Sequence, residues 1–310
     1  MIPEFPNFKK LEFSDRLDVE KIVRKYPPYS DFDFISMWSW NRRNGIRISD
    51  LNGNLVVYFI DYITDEPFYS FIGHSNINET AITLLKLAEE NGLLKRLKLI
   101  PNIVAEQITP GGDLVSIEDP GNFDYMYELE KLMTYNGNKL RSKRNLSIRY
   151  RKLYLLDTST KILNPSNLDE RREILRLLET WIQNKKTDIN ENEFSAIHRV
   201  IDINEPQGLV FVGLFIKDIL AGFVINEVLK DEHAILHFEK ADQSYVGIYS
   251  YLMQENSKIL YNLGKRILNY EQDLNIPGLR LAKKAFRPSY YLKKHIITYK
   301  TDSPVGSVDN

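Results

Sequence analysis

At 310 residues the chain exceeds the usual size of one domain, which predicts two domains. It contains no cysteine, and this excludes disulfides, thiolate nucleophiles and metal sites built on thiolates. The net charge is only −1, but two acid-free stretches, 131–155 and 274–300, carry eight and seven Lys or Arg residues. Such basic islands are typical either of solvated helix faces or of a surface that binds a polyanion.

The first fifteen residues lack the basic-then-apolar order of a signal peptide. The most apolar stretches, 55–60 and 209–216, are far shorter than the about 20 residues that a membrane helix needs. We therefore expect a cytoplasmic protein without a transmembrane segment. The oligomeric state is left open by the sequence.

Helix and strand patterns follow one another through the first half of the chain. They predict helices near 17–25 and 31–38, a hairpin that turns at Asn52 and Gly53, a strand at 68–73, a helix at 79–90, a strand at 97–101, a short helix at 104–107 and a strand at 113–118. The segment 123–154 then joins the halves, and Asn136 with Gly137 is expected to break it into two helices.

The second half repeats a similar order of elements. It predicts helices at 168–184 and 191–200, strands at 209–216, 219–229 and 234–241, a helix between Gly247 and Gly264, a strand at 266–272, a helix at 278–286 and a strand at 295–300. A repeated mixed α/β unit accounts for both halves. The expected boundaries are an N-terminal domain 1–135, a basic helical linker 136–155, a C-terminal domain 156–300 and a flexible tail 301–310.

Four motifs occur in a fixed order along the second half. They are FDYMY (123–127), KLRSKRN (139–145), HFEKA (237–241) followed by Gly247 and Tyr249, and NYEQDLNIPGLRLAKKAFRP (269–288). Through them the chain resembles the C-terminal domain of bacterial phosphatidylglycerol lysyltransferases, with a weaker match at 29–40. The resemblance implies two tandem GNAT-like acyltransferase domains, in which the strands at 234–241 and 266–272 splay apart to form a cleft for the acyl carrier.

The chain also departs from that family pattern. Asn275 stands where relatives usually have glycine, although asparagine tolerates a left-handed backbone. Ala285 and Phe286 stand where relatives often have Ser-Tyr, so two hydroxyls are missing near the expected site. The substrate of the named lysyltransferases is therefore not carried over.

Glu239 and Lys240 adjoin on a predicted strand, so their side chains point to opposite faces. The resemblance favours Glu239 as the one that faces the cleft. A carboxylate there can act as general base toward an amine or hydroxyl, or can bind a cationic amino group. It can equally be a buried glutamate that pairs with Arg280 or Lys283.

Glu271 and Asp273 flank the end of the next strand, where they would bind an ammonium group or cap the helix near Gly278. Gly247 opens a helix, so backbone N–H groups there would hold a pyrophosphate or simply form a turn. His233 and His237 share a strand face, and a structural role is favoured over metal binding.

Together, pattern and resemblance predict the following site. The catalytic candidates are the carboxylates Glu239, Glu271 and Asp273. The candidates for binding substrate or carrier are Lys143, Arg144, Asn145, His237, Lys240, Gly247, Tyr249, Asn269, Arg280 and Lys283, and no metal ligand is predicted.

The leading hypothesis is an acyl- or aminoacyl-transferase that uses positioning and charge rather than a covalent intermediate. The donor would be an aminoacyl-tRNA, favoured by resemblance and the basic islands, or a coenzyme A thioester, favoured by fold precedent. A tRNA backbone would lie on one helix side carrying Arg141, Arg144, Arg149 and Lys152. The alternatives are a non-catalytic module that binds RNA and a protein that anchors on anionic lipid headgroups.

Overall fold

A computed structural model describes residues 1–41, 45–61, 63–183, 188–203 and 207–302. Within them the strands are β1 (Lys9–Lys10), β2 (Arg47–Leu51), β3 (Asn54–Ile60), β4 (Pro67–Ile72), β5 (Arg96–Pro101), β6 (Leu114–Glu118), β7 (Asp124–Glu128), β8 (Thr158–Leu163), β9 (Leu209–Ile216), β10 (Ile219–Val228), β11 (His233–Ala241), β12 (Ile267–Asn269), β13 (Tyr290–Leu292) and β14 (Lys294–Tyr299). The helices are α1 (Arg16–Val23), α2 (Phe34–Ser39), α3 (Ile77–Glu90), α4 (Asn102–Ala105), α5 (Leu129–Thr134), α6 (Arg141–Tyr154), α7 (Leu168–Gln183), α8 (Asp188–Ile201), α9 (Ile248–Asn262) and α10 (Pro277–Lys284).

The strands form two seven-stranded sheets with the same internal plan. The first sheet has the order β1-β2-β3-β4-β5-β14-β6, and the second has the order β8-β9-β10-β11-β12-β7-β13. In each, the first four strands are antiparallel, the fifth is parallel to the fourth, and the sixth is antiparallel to the fifth. The prediction of a repeated mixed α/β unit is confirmed.

The sixth strand of each sheet comes from the other half of the sequence. β14 lies between β5 and β6 in the first sheet, and β7 lies between β12 and β13 in the second. The compact units are accordingly residues 1–123 with residues from 292 onward, and residues 124–291. The chain enters the second unit directly after β6 and returns for β14.

These units differ from the expected boundaries at 135 and 156. The strand expected at 295–300 was assigned to the second domain, but it pairs with β5 and β6. FDYMY was expected at the start of a joining segment, but as β7 it pairs with β12, with Asn269 opposite Met126. These strands pair with strands that are far away in the sequence. Local periodicity predicts that a segment is a strand but does not indicate which strand is its neighbour.

Most local predictions agree with the structure. The hairpin turns at Asn52 and Gly53, both in the left-handed region with φ of 60° and 79°. The break before α6 falls at Gly137, whose φ is 87°. The strands β1, β8 and β13 were missed. The expected tail lies, from residue 303 on, outside the described residues. No helix in the described part of the chain combines the length and apolar character that crossing a bilayer requires.

Each unit buries its own hydrophobic core. In the second unit α9 turns Leu252, Met253 and Leu260 toward the sheet, and all three are fully buried. In the first unit α3 does the same with Leu84 and Leu85. Burial of each such side chain contributes roughly 1.5–3 kcal/mol, so helix periodicity and sheet packing reinforce one another.

A buried ion pair anchors β14 in the first unit. The Lys294 ammonium contacts the Asp31 carboxylate, and neither side chain is accessible to solvent. Lys294 also donates a hydrogen bond of 3.3 Å to the Ser30 hydroxyl. Since β14 is the neighbour through which β6 joins the sheet, this pair ties the returning strand to the unit.

We predict that Lys294→Met lowers the free energy of unfolding by about 3–5 kcal/mol, because it removes the ammonium group that the buried Asp31 carboxylate contacts. The double variant Asp31→Asn with Lys294→Met should recover part of that loss, since no charge then remains buried. Urea unfolding of both variants measures the difference. An unchanged midpoint for Lys294→Met alone would contradict this account.

Candidate active site

A cleft opens in the second unit where β11 and β12 stop pairing. The two parallel strands are hydrogen-bonded only from His233 to Ile235 on β11. Beyond that point β11 stays with β10 as far as Ala241. The chain that continues from β12 instead stays with β7: the N–H group of Tyr270, the residue after β12, donates a hydrogen bond of 2.9 Å to the Tyr125 carbonyl on β7. The edge of β11 from residue 236 onward therefore faces a gap, as the family resemblance implied.

A β-bulge sets the direction of the side chains at this edge. Phe238 pairs with Ile225 and Leu236 with Asn226, so His237 is an extra residue on β11. A bulge shifts which side chains reach a given face of a sheet. Glu239 follows the bulge and reaches the residue after β12, where its Oε2 accepts a hydrogen bond from the Tyr270 hydroxyl.

The Glu239 carboxyl group is the main electrostatic feature of the cleft. Its Oε1 is shielded from solvent and has no hydrogen-bond partner among the described residues. Burial raises the pKa of Glu239 to about 7, although the Tyr270 hydrogen bond and the charges of Lys143, Lys240 and Lys283 act against that rise. The group therefore exchanges a proton near neutral pH, as a general base must.

Two lysines and an aromatic ring surround this carboxyl group. The Lys143 ammonium lies 3.7 Å from the centroid of the Phe286 ring, and burial lowers the pKa of Lys143 while Glu239 counteracts that effect. Lys283 is held by the carbonyls of Tyr270 and Gln272, the latter at 2.7 Å. Lys143 thus presents a cation to the cleft, whereas Lys283 secures the backbone after β12. We call Glu239, Tyr270, Lys143, Phe286 and Lys283 the Glu239 cluster.

Lys240 points away from Glu239, as the alternation along a strand requires. Its ammonium pairs with Glu193 at 2.6 Å and lies 4.1 Å from the Trp181 ring centroid, which links β11 to α7 and α8. Tyr249 remains near the cleft, and burial followed by the charge of Glu239 raises its pKa to about 12. Its hydroxyl therefore stays protonated at neutral pH.

Asp273 and Arg280 are paired with each other rather than with a ligand. Two hydrogen bonds of 2.8 and 2.9 Å join them, and the Tyr125 hydroxyl donates to Asp273 at 2.6 Å. Burial alone would raise the pKa of Asp273, but the bonds from Arg280 and Tyr125 hold that pKa below its usual value. Asp273 also accepts from the Asn275 N–H, and Asn275 adopts the expected left-handed backbone with φ of 58°.

Glu271, His237 and Asn269 form a second polar group beside the cleft. Glu271 lies 3.0 Å from His237 Nδ1, and Glu227 lies 3.3 Å from Nε2 of the same ring. Asn269 accepts from the Glu271 N–H at 2.7 Å and donates to Asp124 at 3.2 Å. These contacts fix the backbone where it turns away from β11.

Gly247, the residue before α9, packs against the backbone of α6. Gly247 is left-handed, with φ of 84°, and a Cβ placed on it would lie 2.3 Å from the Leu146 carbonyl oxygen. The glycine is therefore required by close approach of two backbones as well as by its φ. This packing holds the start of α9 against α6.

The corresponding position of the first unit is filled by an asparagine. The Asn54 amide donates to the Ser75 carbonyl at 2.8 Å and to Thr80 at 3.1 Å, and it accepts from the Ser75 N–H. A Cβ on Gly73 would lie 1.8 Å from Asn54 Oδ1. The turn before α3 is thus satisfied internally, and the cluster of ionisable groups described above belongs to the second unit.

The two basic islands do not form two continuous basic faces. In the first, Arg144 donates to the Tyr135 and Gly137 carbonyls at 3.0 and 3.3 Å, and Arg151 donates to Gln254 at 2.7 Å. The exposed members are Lys131, Lys139, Arg141, Arg149 and Lys152, and Asn145 lies beside the last four. The second island is divided between the units, since Lys293, Lys294 and Lys300 belong to the first.

The structure therefore brings Glu239, Lys143, Lys283 and Tyr249 together at the cleft. It places Asp273, Arg280 and Arg144 in contacts that stabilise loops and helix ends. Sequence reasoning assigned no role to Tyr270 or Phe286, which complete the Glu239 cluster. Both residues lie in the fourth motif, Tyr270 after β12 and Phe286 after α10. Membership of that motif was the sequence feature that could have indicated a role for them.

Comparisons with known proteins agree with this architecture. Residues 23–298 match the model of a family described as phosphatidylglycerol lysyltransferase, C-terminal. An uncharacterized protein of Mycoplasmoides gallisepticum is 23% identical over 184 residues, which are 59% of this chain and 58% of that protein. The match thus spans less than two thirds of the length of this curated relative.

Solved structures show the same fold at low identity. A conserved protein of unknown function from Bacteroides thetaiotaomicron has a TM-score of 0.80 at 24% identity, covering 97% of this chain and 100% of that one. The C-terminal domain of a putative lysylphosphatidylglycerol synthetase from Agrobacterium fabrum has a TM-score of 0.62 at 13% identity, with 92% and 91% covered. L-PGS from Bacillus licheniformis has a TM-score of 0.61 at 13% identity, covering 99% of this chain and 96% of that one. The predicted fold class, mixed α/β with two tandem GNAT-like domains, is confirmed.

We predict that Glu239→Gln stabilises the protein at pH 8 and not at pH 4. The pKa of Glu239 rises on folding from 4.5 to about 7, so the native state binds more protons between these values and stability falls as pH rises through that window. At pH values above about 7, Glu239→Gln removes the buried charge and should raise the free energy of unfolding by roughly 2–3 kcal/mol. Thermal unfolding of the wild type and the variant at a series of pH values measures this difference. Equal melting temperatures of the two proteins at pH 8 would contradict a buried charge at Glu239.

A second prediction concerns the contact between α6 and α9. Gly247→Ala should cost at least about 2 kcal/mol, because the left-handed backbone alone costs roughly 1–2 kcal/mol and the new Cβ collides with the Leu146 carbonyl. Gly264→Ala is the matched control, since Gly264 has φ of 82° and nothing within 4 Å of its Cβ position. Denaturant unfolding should show the larger loss at Gly247, and equal losses would exclude the close contact.

Proposed function

Because the chain belongs to the phosphatidylglycerol lysyltransferase C-terminal family, we propose that it is an aminoacyltransferase. It would pass an aminoacyl group from an aminoacyl-tRNA to an amine or hydroxyl of an acceptor. The cleft of the second unit would hold the reacting groups. The three solved structures described above are below 25% identity and so support the fold alone.

The observation that carries the proposal is the state of Glu239. This carboxyl group has a pKa of about 7, one oxygen fixed by Tyr270 and the other without a partner among the described residues. A buried polar atom left unsatisfied costs roughly 1–3 kcal/mol, so it is rarely retained without a use. An acceptor amine or hydroxyl, or the ammonium of an aminoacyl group, would satisfy it.

The proposed step needs no covalent enzyme intermediate. The acceptor nitrogen or oxygen attacks the carbonyl carbon of the ester, and the bond between that carbon and the ribose oxygen breaks. Glu239 takes the proton from the attacking group and returns it to the released ribose oxygen, so the charges balance. The Lys143 ammonium on the same side supplies positive charge for the oxyanion that forms between these events.

An aminoacyl ester fits the second unit better than a coenzyme A thioester. Carriers with a pyrophosphate would use free N–H groups at the start of α9, but the Ile248 N–H there already donates to the Tyr245 carbonyl at 3.1 Å. An aminoacyl-tRNA needs no such pocket, because its phosphates lie along the surface and are neutralised by exposed cations. Lys284 and Arg287 are exposed at the end of α10, next to the Glu239 cluster.

A non-catalytic module that binds RNA is the second candidate. It is favoured by the exposed cations Arg141, Arg149 and Lys152 on α6, and by the absence of hydroxyls at Ala285 and Phe286. Such a protein would bind tRNA with strong salt dependence and would leave the ester bond intact.

The test is transfer of radiolabelled amino acids from a bulk aminoacyl-tRNA pool to a lipid extract and to a mixture of small amines. We expect labelled product with the wild type, and a 10²–10⁴-fold lower rate with Glu239→Gln because the proton acceptor is lost. The rate should rise with pH through about 7, since the carboxylate is the active form. Glu130→Gln, at an exposed position of α5, is the matched control and should retain the wild-type rate.

Thermal unfolding separates the donors. Stabilisation by aminoacyl-tRNA and not by acetyl-coenzyme A would support the proposal, since a ligand that binds the native state raises the midpoint. Stabilisation by tRNA without any transfer would favour the binding module. Transfer from acetyl-coenzyme A at the wild-type cleft would overturn the choice of donor.

A further inference from the structure

A serine, a histidine and an asparagine are joined by hydrogen bonds in the first unit. Ser116 lies on β6, His295 lies on β14, and Asn102 is the first residue of α4. The Ser116 hydroxyl lies 2.9 Å from Nδ1 of His295, and the side-chain oxygen of Asn102 lies 2.9 Å from Nε2 of the same ring. We call these three residues the Ser116 triad.

Strand pairing and helix packing bring the triad together. Ser116 on β6 lies opposite Ile297 on the neighbouring strand β14. His295 is two residues before Ile297, so its side chain points to the same face of the sheet as that of Ser116. Ile297 is buried in the core of the first unit together with Val104 of α4. The triad therefore lies where α4 covers the edge of that core.

The hydrogen bonds determine which nitrogen of His295 carries its proton. The Asn102 amide group donates a hydrogen bond of 2.7 Å to the Glu106 carboxylate, which can only accept. Asn102 therefore turns its oxygen, a second acceptor, toward Nε2 of His295, and Nε2 must be the protonated nitrogen. The lone pair of Nδ1 then faces Ser116, whose hydroxyl is the donor. This is the arrangement in which a histidine removes the proton of a serine nucleophile.

The surroundings keep His295 in the neutral form that such a base needs. Burial lowers the pKa of His295 below its ordinary value of 6.5. Nearby charges have smaller individual effects on that pKa, and they belong to Glu118, Lys293, Glu106 and Asp119. At pH 7 the lone pair of Nδ1 is therefore available to accept a proton.

The position of Ser116 on an edge strand supplies a donor for an oxyanion. β6 is the last strand of the first sheet and has β14 on one side. The Asp119 N–H donates to the Lys294 carbonyl on β14 at 2.9 Å. Because N–H groups alternate in direction along an antiparallel strand, the Ser116 N–H points to the edge that has no partner strand among the described residues. Ser116 is half-buried, so a small molecule can reach it from that edge.

We propose that Ser116 is the nucleophile of a second active centre, which hydrolyses esters of carboxylic acids. The serine oxygen attacks the ester carbonyl carbon, and its proton passes to Nδ1 of His295. The bond from that carbon to the alcohol oxygen breaks, and the alcohol leaves with the proton from His295. Water then attacks the acyl-serine, its proton passes through the same nitrogen to the serine oxygen, and the carboxylic acid is released.

Charge around the triad limits the esters that it would accept. Glu106, Glu118 and Asp119 are acidic, and Lys293 is already paired with Glu118 at 2.6 Å. A substrate that carries a carboxylate would be repelled, so neutral or cationic esters are the expected class. The triad shares no residue with the Glu239 cluster, and this hydrolysis is therefore independent of the transfer proposed there.

Labelling with a fluorophosphonate and hydrolysis of p-nitrophenyl acetate test the proposal. The wild type should be labelled at Ser116, as located by peptide mass spectrometry, and should hydrolyse p-nitrophenyl acetate faster than the anionic p-nitrophenyl hemisuccinate. Ser116→Ala should abolish the label, and His295→Gln should slow both reactions about 10²–10⁴-fold because the proton acceptor is lost.

Matched controls come from the same unit. Ser14→Ala removes an exposed serine, and His74→Gln removes an exposed histidine that is bonded to the Tyr26 hydroxyl at 2.7 Å. Both should react as the wild type does. An unlabelled wild type, or equal rates of hydrolysis by the wild type and Ser116→Ala, would overturn the proposal.

Asn102 acts through His295 and is a positioning residue, which a pH profile can show. Asn102→Asp should keep the reaction, but its carboxylate favours the imidazolium form and raises the pKa of His295. The acidic limb of the profile of labelling rate against pH should therefore move up by about one pH unit or more. Asn102→Leu should slow labelling without changing the circular dichroism spectrum. An unmoved limb in Asn102→Asp would contradict the contact with His295.

A cysteine variant measures the base without relying on turnover. The chain contains no cysteine, so Ser116→Cys carries a single thiol. Its alkylation by iodoacetamide should follow a thiol pKa well below the usual value of about 8.5, because His295 accepts the thiol proton. Ser14→Cys, and Ser116→Cys combined with His295→Gln, should both follow the usual value. Equal pKa values for all three proteins would overturn the assignment of His295 as the base.

Discussion

The separation of two parallel strands is the constraint on which the candidate site depends. β11 keeps its hydrogen bonds to β10 as far as Ala241, whereas the chain after β12 keeps its bonds to β7. Each strand is satisfied on one side only, so a gap opens without breaking the sheet. The bulge at His237 then decides which side chains of β11 meet that gap.

Placing a carboxyl group in this gap has an energetic cost that the surroundings only partly offset. Tyr270 satisfies one oxygen of Glu239, and Lys143 supplies a nearby charge, yet the pKa stays near neutrality. Lys283 and Asp273 support the site indirectly. Lys283 binds backbone carbonyls next to Tyr270, and Asp273 binds Arg280 on α10, the helix that precedes Phe286. The residues that support Tyr270 and Phe286 thus lie within one short stretch of sequence, between positions 272 and 283.

Local features could be predicted from the sequence, and distant pairings could not. The helices, the turn at Asn52 and Gly53, and the left-handed Asn275 follow from periodicity and from residue types that tolerate these conformations. Glu239 was singled out because alternation on a strand left two choices and the resemblance favoured one. The predictions for β7 and β14 were wrong, because the local sequence of a strand does not determine which distant strand it pairs with. The pairing of Arg280 with Asp273 was also missed, because charge counts do not reveal which cations are already neutralised.

The exchange of the sixth strands also affects how the protein is made. On the ribosome β6 emerges early, but its neighbour β14 begins at residue 294. At about 5–20 residues per second, synthesis of the intervening segment takes roughly 9 to 35 s. During that interval the first sheet has an open edge at β5, and the second unit is completed before the first. A nascent chain of this design would therefore depend on protection of that edge until translation is nearly finished.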